Sequence, residues 1–220
     1  MSEEYFFCGS EQTEYLKNKD PILGTVIDEV GLIKRPVIVD MFSALVNAIV
    51  GQQISSKAQA TIWGRILDRF TPMNAERIYN ASTDELQNCG ISFRKAEYIK
   101  ELAFHIYSGK LDLDSLNVMT DENVCNILTQ IKGIGEWTAE MLLIFSLKRP
   151  DVFSFNDLAI HRGLRMIYHH RKITRQLFEK YRRQYSPYAT TASFYIWEVA
   201  SGAYLNFKDY APQNSVKKRK

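Results

Sequence analysis

Apolar residues recur along this chain at intervals of three and four, and almost nowhere in the strict alternation of a half-buried strand. That spacing predicts helices over roughly 10–18, 21–30, 40–50, 56–70, 75–80, 83–88, 92–108, 121–131, 136–147, 157–168, 174–184 and 188–205. Gly31, Pro36, Gly51, Pro72, Gly90, Gly109, Gly133, Gly135, Pro150 and Pro187 fall between them as breakers. Hairpin signals are few, and there is no internal repeat, long linker or low-complexity run. The expected fold class is all-α.

Two interruptions of the helical pattern carry candidate chemistry. In the first, the face Ala44, Leu45, Ala48, Ile49 is broken by Gly51-Gln52-Gln53-Ile54-Ser55-Ser56, after which Ala58, Ile62, Ile66 and Phe70 resume at intervals of four. Ser55 or Ser56 can cap the second helix, so Gln52 and Gln53 are expected on a short turn between buried helices. An ordinary polar turn explains these residues equally well. In the second, Val124, Ile127, Leu128 and Ile131 lead into Gly133-Ile134-Gly135, and Ala139, Leu142, Leu143 and Ser146 follow at helical spacing. Two amphipathic helices therefore meet at a Gly-x-Gly turn. Glycine permits positive φ and close backbone approach. Where the second helix begins, at Gly135, backbone N–H groups point outward and form a ready phosphate site that grips a nucleic-acid strand without reading its sequence.

Composition sharpens this modestly. Of 220 residues, 45% are apolar, enough for a real core, and the net charge of +3 alone indicates no partner. The distribution says more: from Asp157 to Arg183 there are eight Lys/Arg (Arg162, Arg165, Arg171, Lys172, Arg175, Lys180, Arg182, Arg183) against Asp157 and Glu179. Such a stripe suits a polyanion, although a solvated helix face accounts for it as well. No window approaches the ~20 apolar residues of a membrane span, and the acidic N-terminus lacks a signal-peptide core. An intracellular protein without a membrane role is expected. Cys8, Cys89 and Cys125 are widely spaced and form no CxxC, so reduced thiols are expected. The tail Lys217-Lys218-Arg219-Lys220 reads as a frayed end.

The hairpin from Thr129 to Ala139 resembles the helix-hairpin-helix of base-excision DNA glycosylases. That family places a loop and then an essential Asp after the hairpin. Here Lys148–Asn156, containing Pro150 but no glycine, is followed by Asp157, and Asp157-Leu158-Ala159-Ile160-His161-Arg162-Gly163 resembles the family's continuation. Gly51-Gln52-Gln53-Ile54-Ser55, Gly135-Glu136-Trp137-Thr138-Ala139 and Ile196-Trp197 are most similar to the DNA-3-methyladenine glycosylase II branch. The resemblance spans roughly residues 40 to 205. It implies two helical lobes with a DNA-binding cleft between them: one lobe from 1–40 plus 150–220, and a central one from 41–149 that holds the hairpin at about 121–147.

The resemblance also implies roles. Asp157 is the catalytic carboxylate. Cleaving an N-glycosidic bond develops oxocarbenium-like charge on the sugar, which a nearby carboxylate stabilises, and the start of a helix favours the ionised form it needs. Asp is equally at home as a simple N-cap. Trp137 and Trp197 line a pocket for the flipped base, where an electron-rich ring attracts a cationic alkylated purine. Gln53 fills the gap left in the stack, with Gln52 beside it. Met141 stands where some relatives place an aromatic, which leaves the base preference open. Lys132, Gly133, Ile134, Gly135 and Thr138 hold the DNA backbone. Na+ or K+ can sit on the carbonyls of Thr129, Ile131 and Ile134. Bifunctional relatives carry a Schiff-base Lys where Trp137 stands, so simple hydrolysis to an abasic site is expected, with no cofactor for the chemistry. No Cys lies beyond residue 125, which excludes the iron–sulfur loop of other relatives. Trp63 is expected in the core and His161 at the surface or facing phosphate. Tyr5-Phe6-Phe7 is expected to pack the N-terminus down, or else to roof the pocket.

The expected activity is therefore a monofunctional DNA glycosylase for alkylated purines in double-stranded DNA. The chain is expected to act as a monomer, in the nucleoid-bearing cytoplasm of a bacterium or in a nucleus. Alternatives are a glycosylase for mismatched or oxidised bases, a non-catalytic DNA-binding module, and an unrelated all-α protein with a chance hairpin.

Overall fold

The computed structural model describes residues 4–204 and 206–212. The basic tail Lys217–Lys220 lies outside them. In chain order the elements are β1 (Glu4–Phe7), α1 (Ser10–Lys19), α2 (Pro21–Val30) and β2 (Lys34–Val37). Then come α3 (Met41–Gly51), α4 (Ser56–Phe70), α5 (Ala75–Asn80), α6 (Thr83–Gln87) and α7 (Phe93–Tyr107). A 3-10 turn at Asp114–Val118 precedes α8 (Asp121–Leu128) and α9 (Glu136–Phe145). The chain continues through α10 (Leu158–Tyr168), α11 (Arg175–Tyr185) and α12 (Ala189–Ser201). Among the described residues no helix is long and apolar enough to cross a membrane.

The helix starts follow from short polar side chains. Asp20, Asp40, Ser55, Asn74, Ser82, Ser92, Thr120 and Thr174 each accept a backbone N–H of the helix they precede. Each such cap is worth about 1 kcal/mol. The all-α expectation holds, with one addition. β1 and β2 pair as a two-stranded sheet. Each strand is four residues long, too short to show alternation, and β2 contains Pro36.

The chain divides into two compact units. Of the described residues, the central unit comprises Pro36–Lys148 with Glu4, and the other comprises Tyr5–Arg35 and those from Arg149 onward. Residues 36–40, assigned to the terminal lobe from sequence, group with the central unit. There the Ile38 N–H donates to the Phe145 carbonyl at 3.0 Å and Asp40 caps α3.

In the central unit α3 is buried along most of its length, from Met41 to Val46 and at Ile49 and Val50. Ile66 and Phe70 of α4, Ala96, Ile99, Leu102 and Ala103 of α7, and Leu142, Leu143 and Ile144 of α9 are also part of its core. Trp63, expected in the core, is only half-buried. In the other unit α10 packs on α12 so closely that a Cβ on Gly163 would run into the Ile196 carbonyl. Phe6 of β1 is buried edge-on against Phe194, with ring centroids 5.2 Å apart, whereas Phe7 is exposed. The N-terminal aromatics therefore pack the strand down, as the first of the two expectations had it.

Candidate active site

The hairpin lies in the central unit and is built around Gly133. Its φ is +88°, a conformation that disfavours any side chain. An added Cβ would also meet the ring of Tyr98, 2.7 Å from Cγ. Glycine is required there on both counts. Gly135 is different: its φ is −93°, which any residue adopts, and a Cβ there would meet nothing within 4 Å. Glycine's freedom is therefore used at Gly133 and not at Gly135. Gly135 is the N-cap of α9, and no side chain caps that helix. An exposed Gly135 leaves the positive end of α9 open to an anion.

The flanking residues divide by exposure. Lys132 is 72% exposed and pairs with Glu101 at 3.4 Å. Ile134 and Thr138 are buried, at 4% and 6%. Their side chains face the core, so what these two residues can offer a strand is main-chain groups. The Ile131 carbonyl accepts the Ile134 N–H at 3.1 Å. Trp137, 45% exposed, and Met141, half-buried, are four residues apart and share a face of α9.

The turn after α3 adjoins this hairpin. Gln52 Nε2 donates to the Gly133 carbonyl at 2.6 Å. Gln52, expected beside the gap-filling residue, ties the turn to the hairpin through this amide. Gln53 is exposed at the tip with φ +57°. A non-glycine residue held there costs about 1–3 kcal/mol, and such strain persists only where neighbours hold the backbone. Lys95, in the first turn of α7, supplies the hold. Its Nζ donates to the carbonyls of Val50 at 2.8 Å and Gln52 at 2.7 Å. Charged hydrogen bonds contribute about 1.5–3 kcal/mol each, enough to offset the strain. Burial lowers the Lys95 pKa. Sequence reading missed Lys95 and Tyr98, because nothing along α7 marks which of its residues meets a turn 40 positions away.

The other unit carries Asp157. It is 6% exposed and caps α10, its Oδ1 accepting from Ala159 N at 2.8 Å and Ile160 N at 2.9 Å. A nearly dry carboxylate is costly unless bonded; two charge-assisted bonds and the start of α10 compensate it. The loop before it is braced. His161, one turn into α10, donates through Nε2 to the Phe155 carbonyl at 2.7 Å and packs edge-on against the Phe155 ring. The Arg175 guanidinium lies 4.6 Å from the centre of that ring. His161, expected at the surface, is half-buried, with its ring engaged by the Phe155 loop. Trp197 is half-buried on α12, tilted against Phe194 at 5.6 Å. Asp157 and Trp197 accordingly sit on the two helices that Gly163 allows to pack closely.

The basic stripe is partly answered within the protein. Arg165 grips Asp209 through two bonds of 2.8 Å, with Arg162 3.9 Å away, and Arg175 and Arg182 both pair with Glu179. Cys8 and Cys89 are buried and Cys125 half-buried, all as free thiols. Burial pushes Cys8 and Cys125 up to about 11. Among the described residues no group of three or more His, Cys, Asp or Glu could hold a metal ion.

Comparison with known proteins agrees with this assembly of parts. Residues 46–187 match the HhH-GPD superfamily base excision DNA repair protein family. DNA-3-methyladenine glycosylase 1 of Schizosaccharomyces pombe is 34% identical over 164 residues, covering 72% of this chain and 72% of that protein. A crystal structure of DNA-3-methyladenine glycosidase from Bacillus halodurans superposes with a TM-score of 0.79 at 34% identity, covering 91% of this chain and 95% of the other. The Schizosaccharomyces pombe 3-methyladenine DNA glycosylase in complex with abasic DNA gives 0.77 at 30% identity, over 87% and 97%. With a helix-hairpin-helix, a capped Asp beyond it and a family match over most of its length, the chain belongs to the HhH-GPD superfamily of base excision DNA repair proteins.

Proposed function

We propose that this protein is a monofunctional DNA glycosylase that flips alkylated purines of the 3-methyladenine type out of DNA and hydrolyses their N-glycosidic bond. The observation that carries the chemistry is Asp157, a nearly dry carboxylate held on Oδ1 at the start of α10. As the bond breaks, its electron pair leaves with the cationic base, which departs neutral, and positive charge grows on the sugar. The carboxylate stabilises that charge until water adds at the anomeric carbon and gives up a proton. A base that already carries positive charge needs no strong general acid. Trp137 occupies the position where a lyase would need an amine, which supports hydrolysis alone and an abasic product. Abasic DNA is what the 30%-identical relative was crystallised with.

The hairpin's role is to hold the strand by main-chain groups of Gly133, Ile134, Gly135 and Thr138, with Lys132 adding charge. Gln53 fills the gap in the stack, and Trp137, Met141 and Trp197 contact the extruded base. The oxygens that a monovalent cation would take at the hairpin are the carbonyls of Thr129, Ile131 and Ile134. Each carbonyl has a second lone pair to offer, Ile131 included. The protein acts as a monomer on double-stranded DNA, wherever the cell keeps it.

The test is release of free methylated bases from methylated DNA by the wild type and by Asp157→Asn. Asparagine also caps helices well, so the fold and the affinity for abasic DNA are expected to survive while excision falls by about 10²–10³-fold or more. Full excision by the variant would overturn the assignment. Release from mismatched or oxidised duplexes, with none from methylated DNA, would move the substrate class.

A further inference from the structure

We infer that Lys95 is a positioning residue for the gap-filling turn: it clamps the end of α3 so that Gln53 stands at a set distance from the hairpin that grips the strand. This rests on Gln53 being the side chain that enters the stack.

The placement is specific. α3 ends at Gly51, and its last carbonyls need partners that the helix cannot supply. The Gln52 N–H turns back to the Ile49 carbonyl, and the Val50 and Gln52 carbonyls both take the Lys95 ammonium. A cation at the negative end of a helix is favourable in its own right. Gln53, the next residue, is thereby held at positive φ at the exposed tip.

The same stretch of α7 also reaches the hairpin. Tyr98 follows Lys95 by three residues, on the same face of α7, and its ring lies against Gly133 where a Cβ would be. Gln52 closes the triangle through its bond to the Gly133 carbonyl. One helix turn therefore sets both the tip that enters the duplex and the loop that holds the backbone. Loss of the ammonium keeps the Gln52 bond to Gly133 but removes the tie from the tip to α7. The Lys95 ammonium is already engaged by two main-chain carbonyls rather than extended toward solvent for a phosphate.

The experiment uses the full chain and a duplex carrying an abasic site opposite 2-aminopurine, whose fluorescence reports insertion into the gap. Single-turnover excision of 3-methyladenine from methylated duplex DNA is measured alongside. Gln53→Ala is expected to abolish the fluorescence change; if it does not, the reading of Gln53 fails, whatever Lys95 does. Given that loss, Lys95→Met is expected to reduce the fluorescence change and to slow excision about tenfold, the scale of a small misplacement. Affinity for undamaged DNA should stay within about twofold. Lys95→Arg, which keeps the charge but replaces a compact ammonium with a planar fork, is expected to be intermediate, and it carries the test should the Met variant fold poorly. The double variant Gln53→Ala/Lys95→Met should excise no more slowly than Gln53→Ala alone. Wild-type insertion in the Lys95 variants, or losses that multiply in the double variant, would overturn the proposal.

Discussion

α9 and α10 begin in opposite ways. α9 starts at an exposed glycine, which has no side chain with which to cap the helix. α10 starts at a buried aspartate that already takes two of its N–H groups. The same electrostatic feature, the positive end of a helix, thus serves two purposes. In α9 it is the proposed anion site for a DNA backbone that must come and go. In α10 it holds an internal carboxylate by two N–H groups where little water reaches. The difference lies in one residue at each start and in how much protein surrounds it.

The comparison can be broken most severely at α10. Asp157→Asn keeps the cap and removes the charge. Excision should fall by the 10²–10³-fold or more given above, with the melting temperature within a few degrees of wild type. A parallel drop in melting temperature would mean that Asp157 is chiefly structural. The next effect comes from the turn before α9. Gly133→Ala places a side chain at φ +88° and against Tyr98, and should cost roughly 2 kcal/mol or more. Thermal denaturation should show a fall of about 4–8 °C, and affinity for abasic duplex should drop with it.

Gly135→Asp is the sharper and milder test, because it gives α9 the start that α10 has. The backbone there is extended and the space is open, so the fold should gain a few tenths of a kcal/mol. DNA affinity should fall about tenfold, and the slope of log affinity against log salt should flatten by about one phosphate contact. Unchanged DNA binding would show that the open start of α9 holds no phosphate.

The smallest effect lies at the far end of α10, where Arg165 holds Asp209. That pairing keeps the Asp209 carboxyl below the usual carboxylate range. A lowered value in the folded state means stability that is present above the unfolded pKa and lost as pH falls through the folded one. Asp209→Asn should therefore melt slightly lower than wild type at neutral pH. The gap should close on acidification, in a melting series against pH.

Much of this was legible in the sequence because it is local. Helix positions follow from three-and-four spacing, and starts such as Ser55 and Asp157 follow from the short polar residues that cap them. The hairpin showed itself as two periodic stretches around Gly-x-Gly. Exposure was less legible. Thr138 and Ile134 sit beside Gly135 in sequence, yet point inward, because a helix start turns neighbours to opposite sides. His161 looked like a surface residue until its ring was seen holding the Phe155 carbonyl.

By itself the sequence determined an all-α chain, the Gly-x-Gly turn, the carboxylate after it and the absence of an amine at residue 137, since each depends on residue type and near-neighbour spacing. Only the tertiary structure decided that Gln52 bonds Gly133, that Lys95 closes the end of α3, that Tyr98 fills the space a Cβ on Gly133 would need, and that Gly163 lets α10 meet α12. These are contacts between residues from about 30 to 80 positions apart, and periodicity within one helix carries no information about which face of another it will meet.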